Sequence, residues 1–373
     1  MSNQVRIMET VFPTTDLVLA NIVATDAPYG CDPTGEKDST AALQQAIYDC
    51  DKNGGGVVFL PAGKYLLTDT IDMPSGVVLR GDWQDPDAVQ EGEALTYGTV
   101  LLAKLSPLAE GAAVNEGALF RLRSNNGLIG LTVYYPEQSA KDPKPYGYVF
   151  YSEFAYTLTF RNITLLNAWR GIGINGLREF HEMAKLEHIR ITALDTANMM
   201  HSSTEVGCTY DFSVSPSYWV NAGEGYAPDD AAAVTAYCRA HCVGMLLGDL
   251  DLETFSEIRL DGCQTAILFE TFGRAGFWGV FYDVYVTNCD YGVVAKKFSH
   301  GNPPLFSRGV IEGTKAAVLS LYEEAPLHFC DVKLVGEKSG CIIEEAEDLS
   351  AYPMTHGTFR RPAAKLYVAP IAE

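Results

Sequence analysis

The chain lacks any CxxC pair, although 9 cysteines are scattered through its 373 residues. An odd, dispersed set excludes a disulfide framework and a zinc ribbon, and reads as reduced, mostly buried thiols. Long apolar runs are missing as well. The longest, Val57–Leu60, Cys242–Leu247 and Tyr291–Ala295, fall far short of the roughly 18 residues that cross a bilayer. Basic residues are scarce: 27 Lys and Arg stand against 47 Asp and Glu, for a net charge of −20. That balance argues against nucleic acid and anionic membrane as partners, and weighs against a polyanionic substrate. The N-terminus, MSNQVRIMET, has no basic segment followed by an apolar core. No signal peptide is expected from it, and cytoplasm is the expected location. With 47% hydrophobic and only 20% charged residues, disorder is excluded and there is ample material for a core.

What the chain does have is a repeat. Five stretches superimpose without gaps: TFRNITLLNAWRGIGI from Thr159, TFSEIRLDGCQTAILF from Thr254, VFYDVYVTNCDYGVVA from Val280, LFSRGVIEGTKAAVLS from Leu305 and HFCDVKLVGEKSGCII from His328. The second position is always Phe (Phe160, Phe255, Phe281, Phe306, Phe329). The seventh is always aliphatic (Leu165, Leu260, Val286, Ile311, Leu334), and the thirteenth is Gly or Ala (Gly171, Ala266, Gly292, Ala317, Gly340). A weaker copy begins at Lys185, and others near Gly127 and Cys208. Starts at 254, 280, 305 and 328 lie 26, 25 and 23 residues apart.

A unit of that length, with short runs of alternating apolar residues, predicts one coil of a parallel β-solenoid. Stacked coils place equivalent residues about 4.8 Å apart, so the phenylalanines should form an interior ladder. A β-sandwich also has many short strands, but it gives no reason for one Phe column. The small thirteenth residue fits a bend into the next strand.

A solenoid needs an end cap. Ser39 is placed to cap a helix in which Ala42, Leu43, Ala46, Ile47 and Cys50 share one face, ending at Asn53-Gly54-Gly55-Gly56. The stretch YGCDPTGEKDSTAALQQAIYDCDKNGGGVVFLPAGKYLLTDTIDMPSGVVLRG, Tyr29–Gly81, resembles the N-terminal signature of the pectate-lyase-superfamily β-helix proteins. These include polygalacturonase-like and family-55 β-1,3-glucanase-like glycoside hydrolases and phage tailspikes. The resemblance implies an all-β fold: a single-stranded right-handed parallel β-helix with an N-terminal capping α-helix. It also implies a glycan substrate. The expected organisation is an extension over 1–28, the β-helix over 29–345 with an insertion at about 216–243, and a tail over 346–373. The segment Phe359–Val368 resembles the linker into a second β-helix in two-helix relatives. Polygalacturonase catalytic motifs are missing: there is no Asn-Thr-Asp, Gly-His-Gly or Arg-Ile-Lys. No catalytic residue carries over from that family.

Function on a β-helix sits where coils carry insertions. The insertion holds Tyr218 and Trp219, which suit stacking on sugar rings; the alternative for Trp219 is to pack the insertion onto the coils. A short helix is expected from Asp229, with Asp229 and Asp230 serving its N-terminus. The segments after the thirteenth residue carry polar groups that stacking should align along one edge: Arg178, Glu179, His181 and Glu182; His201 and Glu205; Asp249 and Asp251; Glu270, Arg274 and Trp278; Lys296, Lys297 and His300. In extended geometry Asp249 and Asp251 should face the same way, about 6.6–7 Å apart.

Glycoside hydrolysis needs two carboxyl groups, about 6.5–9.5 Å apart for inversion. Asp251 with Glu270 is the first choice, and Asp249 or Glu205 could replace either. Substrate contacts are expected from Trp219, Tyr218, His201, Arg274, Trp278 and Arg178. A metal triad of His181, His201 and His300 is disfavoured by their spacing. No cofactor is expected, except a calcium ion if the enzyme is a lyase.

Three readings follow. The preferred one is a glycoside hydrolase on a polysaccharide or oligosaccharide, with inversion favoured. The second is a polysaccharide lyase on a uronate polymer, using Arg178, Arg274 and Lys296-Lys297 as cations. The third is a noncatalytic glycan-binding or tailspike-like module. A homo-oligomer is compatible with the fold but not demanded by the sequence.

Overall fold

A computed structural model describes residues 5–89, 93–175, 181–270, 277–296, 304–320 and 327–336, and the backbone of strands at 341–345, 348–351, 357–360 and 365–368. Gly127, Thr159, Lys185, Cys208, Thr254, Val280, Leu305 and His328 follow one another in parallel register from coil to coil. These are the repeat starts expected from the sequence, the weak ones included. A second series begins each coil's last strand: Val243, Thr265, Tyr291 and Ala316 stand side by side. The architecture is a parallel β-helix, and each backbone ladder is closed by the coils above and below.

Each long strand bends at its fourth repeat position. The residue there has positive φ in every coil from Asn162 onward: 57° at Asn162, 55° at His188, 50° at Asp211, 54° at Glu257, 55° at Asp283, 63° at Arg308 and 55° at Asp331. The ladder skips these residues and resumes after them. Asn, Asp and His tolerate the left-handed region better than most residues, which explains their prevalence in this column. Stacking also brings their charges together. Arg308 pairs with Asp283, and Asp211 holds His188 at 2.8 Å and Arg259 at 3.1 Å.

The aromatic ladder is real but shorter than five. Phe255, Phe281, Phe306 and Phe329 stack at ring separations of 4.5, 4.5 and 5.0 Å, with interplanar angles of 9°, 8° and 19°. Phe160 occupies the same column, but Leu186 and Thr209 lie between it and Phe255. It packs instead on Phe150, at 5.7 Å. The thirteenth position is small because the next coil's carbonyl crowds it. A Cβ on Gly171 would lie 2.2 Å from Ala197 O, and one on Gly292 would lie 2.5 Å from Ala317 O. Gly340 lies outside the described residues.

The N-terminal end is covered by helix α1, Thr40–Lys52, which buries Leu43, Ala46, Ile47 and Cys50. Ser39 does not cap it with its hydroxyl. That oxygen accepts from Asp32 N at 2.9 Å, while Asp38 Oδ1 takes Thr40 N at 2.9 Å. The sheet begins upstream of residue 29, because Ile22–Val23 pairs with Val58–Phe59. In the insertion, α2 (Ser217–Val220) precedes α3 (Ala231–His241), whose N-cap Asp230 accepts from Ala233 N. No helix among the described residues is long and apolar enough to cross a membrane.

Phe281 is fully buried between two stacked rings. Phe281→Ala should therefore lower stability by about 3–5 kcal/mol. Phe160→Ala should cost less, because it interrupts no such stack. Denaturant midpoints of the two variants check the order.

Candidate functional site

The last strands of successive coils end on one edge. There Asn175 pairs in register with His201, and His201 with Gly248. The regular alternation breaks at this point: Ser202, Asp249 and Leu252 have φ of 56°, 51° and 56°. Only Asp251 and Leu252 separate the strands Val243–Leu250 and Glu253–Asp261, so the chain turns sharply over Asp249–Glu253. His201 Nε2 lies 3.1 Å from Asp249 Oδ2, and both side chains are 2% exposed. The other ring nitrogen of His201 lies 3.1 Å from Ser202 Oγ. Asp251 is half-buried, and its backbone N–H donates to Ser203 O at 2.9 Å.

Behind the turn lies a carboxyl group that the sequence reading overlooked. Glu253 is 1% exposed, and Ser203 Oγ donates to its Oε1 at 2.6 Å. Burial, reinforced by the nearby Asp251 charge, pushes its pKa up to about 8. Asp251 beside it is solvent-accessible. Two neighbouring carboxyl groups thus meet very different environments, the condition that separates acid and base roles. His181, expected in the groove, points instead into the core beside Ser203 and is fully buried. Burial lowers its pKa to about 4.

On the N-terminal side the same edge opens into a cleft of ≈ 360 Å³. Tyr151 and Phe154 supply aromatic surface, Glu116 and Glu153 carboxylates, and Arg121 and Arg123 guanidinium groups. Asn115 donates to Glu153 Oε1 at 2.7 Å. The cleft connects to the turn by contact and register: Asn175 Nδ2 donates to Tyr151 Oη at 3.0 Å, and Asn175 stacks on His201. Short strands Phe120–Arg121 and Tyr148–Ser152 and the loops beside them build this cleft, and no motif marks them out.

The other expected residues divide clearly. Trp278 is 42% exposed and adjoins the turn, its carbonyl accepting Glu253 N–H at 3.2 Å. Glu270 directly follows Phe269, the residue paired with Leu247. Its carboxylate meets Lys296 at 3.3 Å, and the register sets it short of Asp251. Asp249 and Asp251 do not share a face, because the left-handed residue at 249 ends the extended geometry and turns its carboxylate to His201. Trp219 is 2% exposed within the core, with its amide N–H on Thr192 Oγ1 at 3.1 Å. It packs the insertion and offers no sugar platform. Tyr218 is tied down too: its hydroxyl donates to Asp87 at 3.1 Å, beside Arg190, and burial raises its pKa. Arg190 bridges Asp85, Asp87 and Asp211, which makes this cluster a clamp on the 83–89 loop. Arg178, Glu179, Arg274, Lys297 and His300 lie outside the described residues, as does the side chain of Glu205. No group of three metal-ligating side chains is found among the described residues.

The family model described as rhamnogalacturonase A/epimerase, pectate lyase-like, matches residues 25–146. Over that third of the chain the sequence is similar to this family, and the fold is a parallel β-helix. No curated protein sequence matches it. Among solved structures, this β-helix is similar to the A-module of the mannuronan C-5 epimerase AlgE6 of Azotobacter vinelandii. The identity is 14%, with 86% of this chain and 79% of that chain covered and a TM-score of 0.51. It is also similar to the Dettilon tailspike protein (14% identity, 86% and 53% covered, TM-score 0.49). A third is the catalytic unit of a GH87 α-1,3-glucanase from Streptomyces thermodiastaticus (12% identity, 98% and 70% covered, TM-score 0.37). The β-helix spans about half the length of the tailspike. At these identities the likeness is one of fold.

Two outcomes test the packing. Trp219→Ala should lower stability by about 3–5 kcal/mol, read by calorimetry, whereas Trp219→Phe should lose far less because Nε1 has no hydrogen-bond partner. His181 stays neutral in the fold while an unfolded histidine gains a proton near its ordinary value of about 6.5. Its contribution is therefore intact above that value and is lost as pH falls toward about 4. His181→Gln should flatten the melting temperature over that interval.

Proposed function

We propose that the protein is a glycoside hydrolase that binds a polysaccharide along the edge formed by the last strands of successive coils. The observation that carries this reading is the solvent-accessible Asp251. It sits in a turn between the buried His201–Asp249 pair and the exposed Trp278 ring, on the edge that opens into the aromatic cleft. Asp251 is the carboxylate within reach of substrate. Glu270, one coil on and ion-paired to Lys296, supplies the second carboxyl group, with inversion as the expected outcome. Asp249 orients His201 instead of meeting sugar directly. Trp278 and Phe154, 42% and 36% exposed, offer rings against which pyranose faces stack.

A second reading, lyase action on a uronate polymer, draws support from one feature. Arg121 and Arg123 line the cleft and could neutralise a substrate carboxylate.

A polysaccharide panel with product analysis decides between them. Reducing ends without an unsaturated uronide support hydrolysis; the ultraviolet absorbance of an unsaturated product supports the lyase; binding with no product supports a noncatalytic module. Asp251→Asn should cut hydrolysis by about 10²–10⁴-fold and leave the thermal transition nearly unchanged. Full activity in both Asp251→Asn and Glu270→Gln would reject the assignment.

A further inference from the structure

The turn that presents Asp251 is fastened from below. Its backbone is held by Asp251 N–H on Ser203 O at 2.9 Å, and by Glu253 N–H on Trp278 O at 3.2 Å. The Ser203 hydroxyl is held in turn by Glu253 Oε1 at 2.6 Å. Ser203 thus touches both ends of the turn, one through its carbonyl and the other through its side chain. Its strand also carries His201 and Ser202. Glu253 fits closely against the corner that follows this strand: a Cβ on Gly207 would lie 2.0 Å from Glu253 Oε2. That Oε2 atom is buried and has no hydrogen-bond partner.

We propose that Glu253 is a positioning residue that, through Ser203, holds the Asp249–Glu253 turn and so keeps Asp251 in place. The assignment of Asp251 to substrate rests on the hydrolase reading above; the fastening of the turn does not. Burial favours the neutral form of Glu253, against the Ser203 hydrogen bond, which favours the ionised form. The charge acting on it from its own turn is Asp251, which repels a second negative charge. From the adjacent strand it faces the Cys208 thiol, which itself lies near Lys185 and Glu187. Ser203 also stands in register with the neutral His181. Ionising Glu253 would leave a buried charge with one oxygen unpaired, which favours opening of the corner to water. The Ser203 hydrogen bond by itself favours the ionised form, but burial and the Asp251 charge outweigh it, so the corner as a whole is most stable with the acid protonated and loosens as pH rises through about 8.

The sign for stability follows from the raised pKa. Unfolded glutamic acid ionises near about 4.3, so the stabilisation is full below that value and is lost as pH rises through about 8. Hydrogen exchange at the Asp251 amide reads the fastening directly, with no substrate. In the wild-type protein, protection corrected for the intrinsic exchange rate should fall about tenfold or more between about pH 6 and about pH 9. Glu253→Gln should keep equal protection at both, and should abolish the decline in melting temperature between about pH 5 and about pH 8. Ser203→Ala should lower the protection already at about pH 6. The same pH dependence in wild type and Glu253→Gln, or unchanged protection in Ser203→Ala, overturns the proposal. If hydrolysis is found, its alkaline decline near about pH 8 should disappear in Glu253→Gln, and its persistence there would also overturn it. Absence of hydrolysis alongside the expected exchange behaviour would reject the hydrolase reading and uphold the fastening.

Discussion

The whole molecule depends on in-register hydrogen bonding between equivalent residues of adjacent coils. Once Thr254 stands beside Val280 and Val280 beside Leu305, every other position is committed. A ring at the second position meets another ring, and a carbonyl at the thirteenth meets whatever side chain the previous coil carries there. The crowding at Gly171 and Gly292 is a direct result. So is the left-handed column from Asn162 to Asp331, since a bend in one coil must recur in the next for the ladder to continue. Strand pairing thus turns a local conformational preference into a property of the whole stack.

This also explains what could be read in the sequence. The Phe, aliphatic and small positions set the register, and the weak copies at Gly127, Lys185 and Cys208 fell into it. The left-handed column was equally visible as Asn, Glu, Asp, Arg and Asp at the fourth position of the five strong repeats, although its meaning was missed. What pattern could not supply was side-chain direction beyond the last strand. Alternation predicts facing only while φ and ψ stay extended. At Ser202, Asp249 and Leu252 they do not, so Asp249 turned inward, Asp251 stayed accessible and Glu253 reached the interior. The cleft was illegible for another reason: its walls come from strands and loops of coils that precede the strong repeats.

The insertion shows how composition misleads when burial is unknown. Tyr and Trp in a long loop suggest sugar stacking, yet a four-residue helix sets Trp219 into the core. A long insertion must bury something of its own to stay on a β-helix, and its largest apolar side chain is the best anchor. In the proposed hydrolase the sugar-facing role then falls to exposed rings such as Trp278 and Phe154.

Polar residues in the interior set this edge apart without reference to any relative. Asn198 occupies a column that includes Phe150, Ile172, Met245, Ile267, Val293 and Val318, and both its amide atoms are buried without partners. His181 and Ser203 share a column with Leu250. Apolar side chains fill these columns in neighbouring coils, so the polar choices are not forced by shape and reduce stability locally. His181, Asn198 and Ser203 lie where the strands end, next to a turn that combines a buried histidine–carboxylate pair, an accessible carboxylate and a buried carboxyl group whose pKa is raised by burial. Thr209 makes the same exchange in the phenylalanine column, and packing alone supplies no reason for any of them.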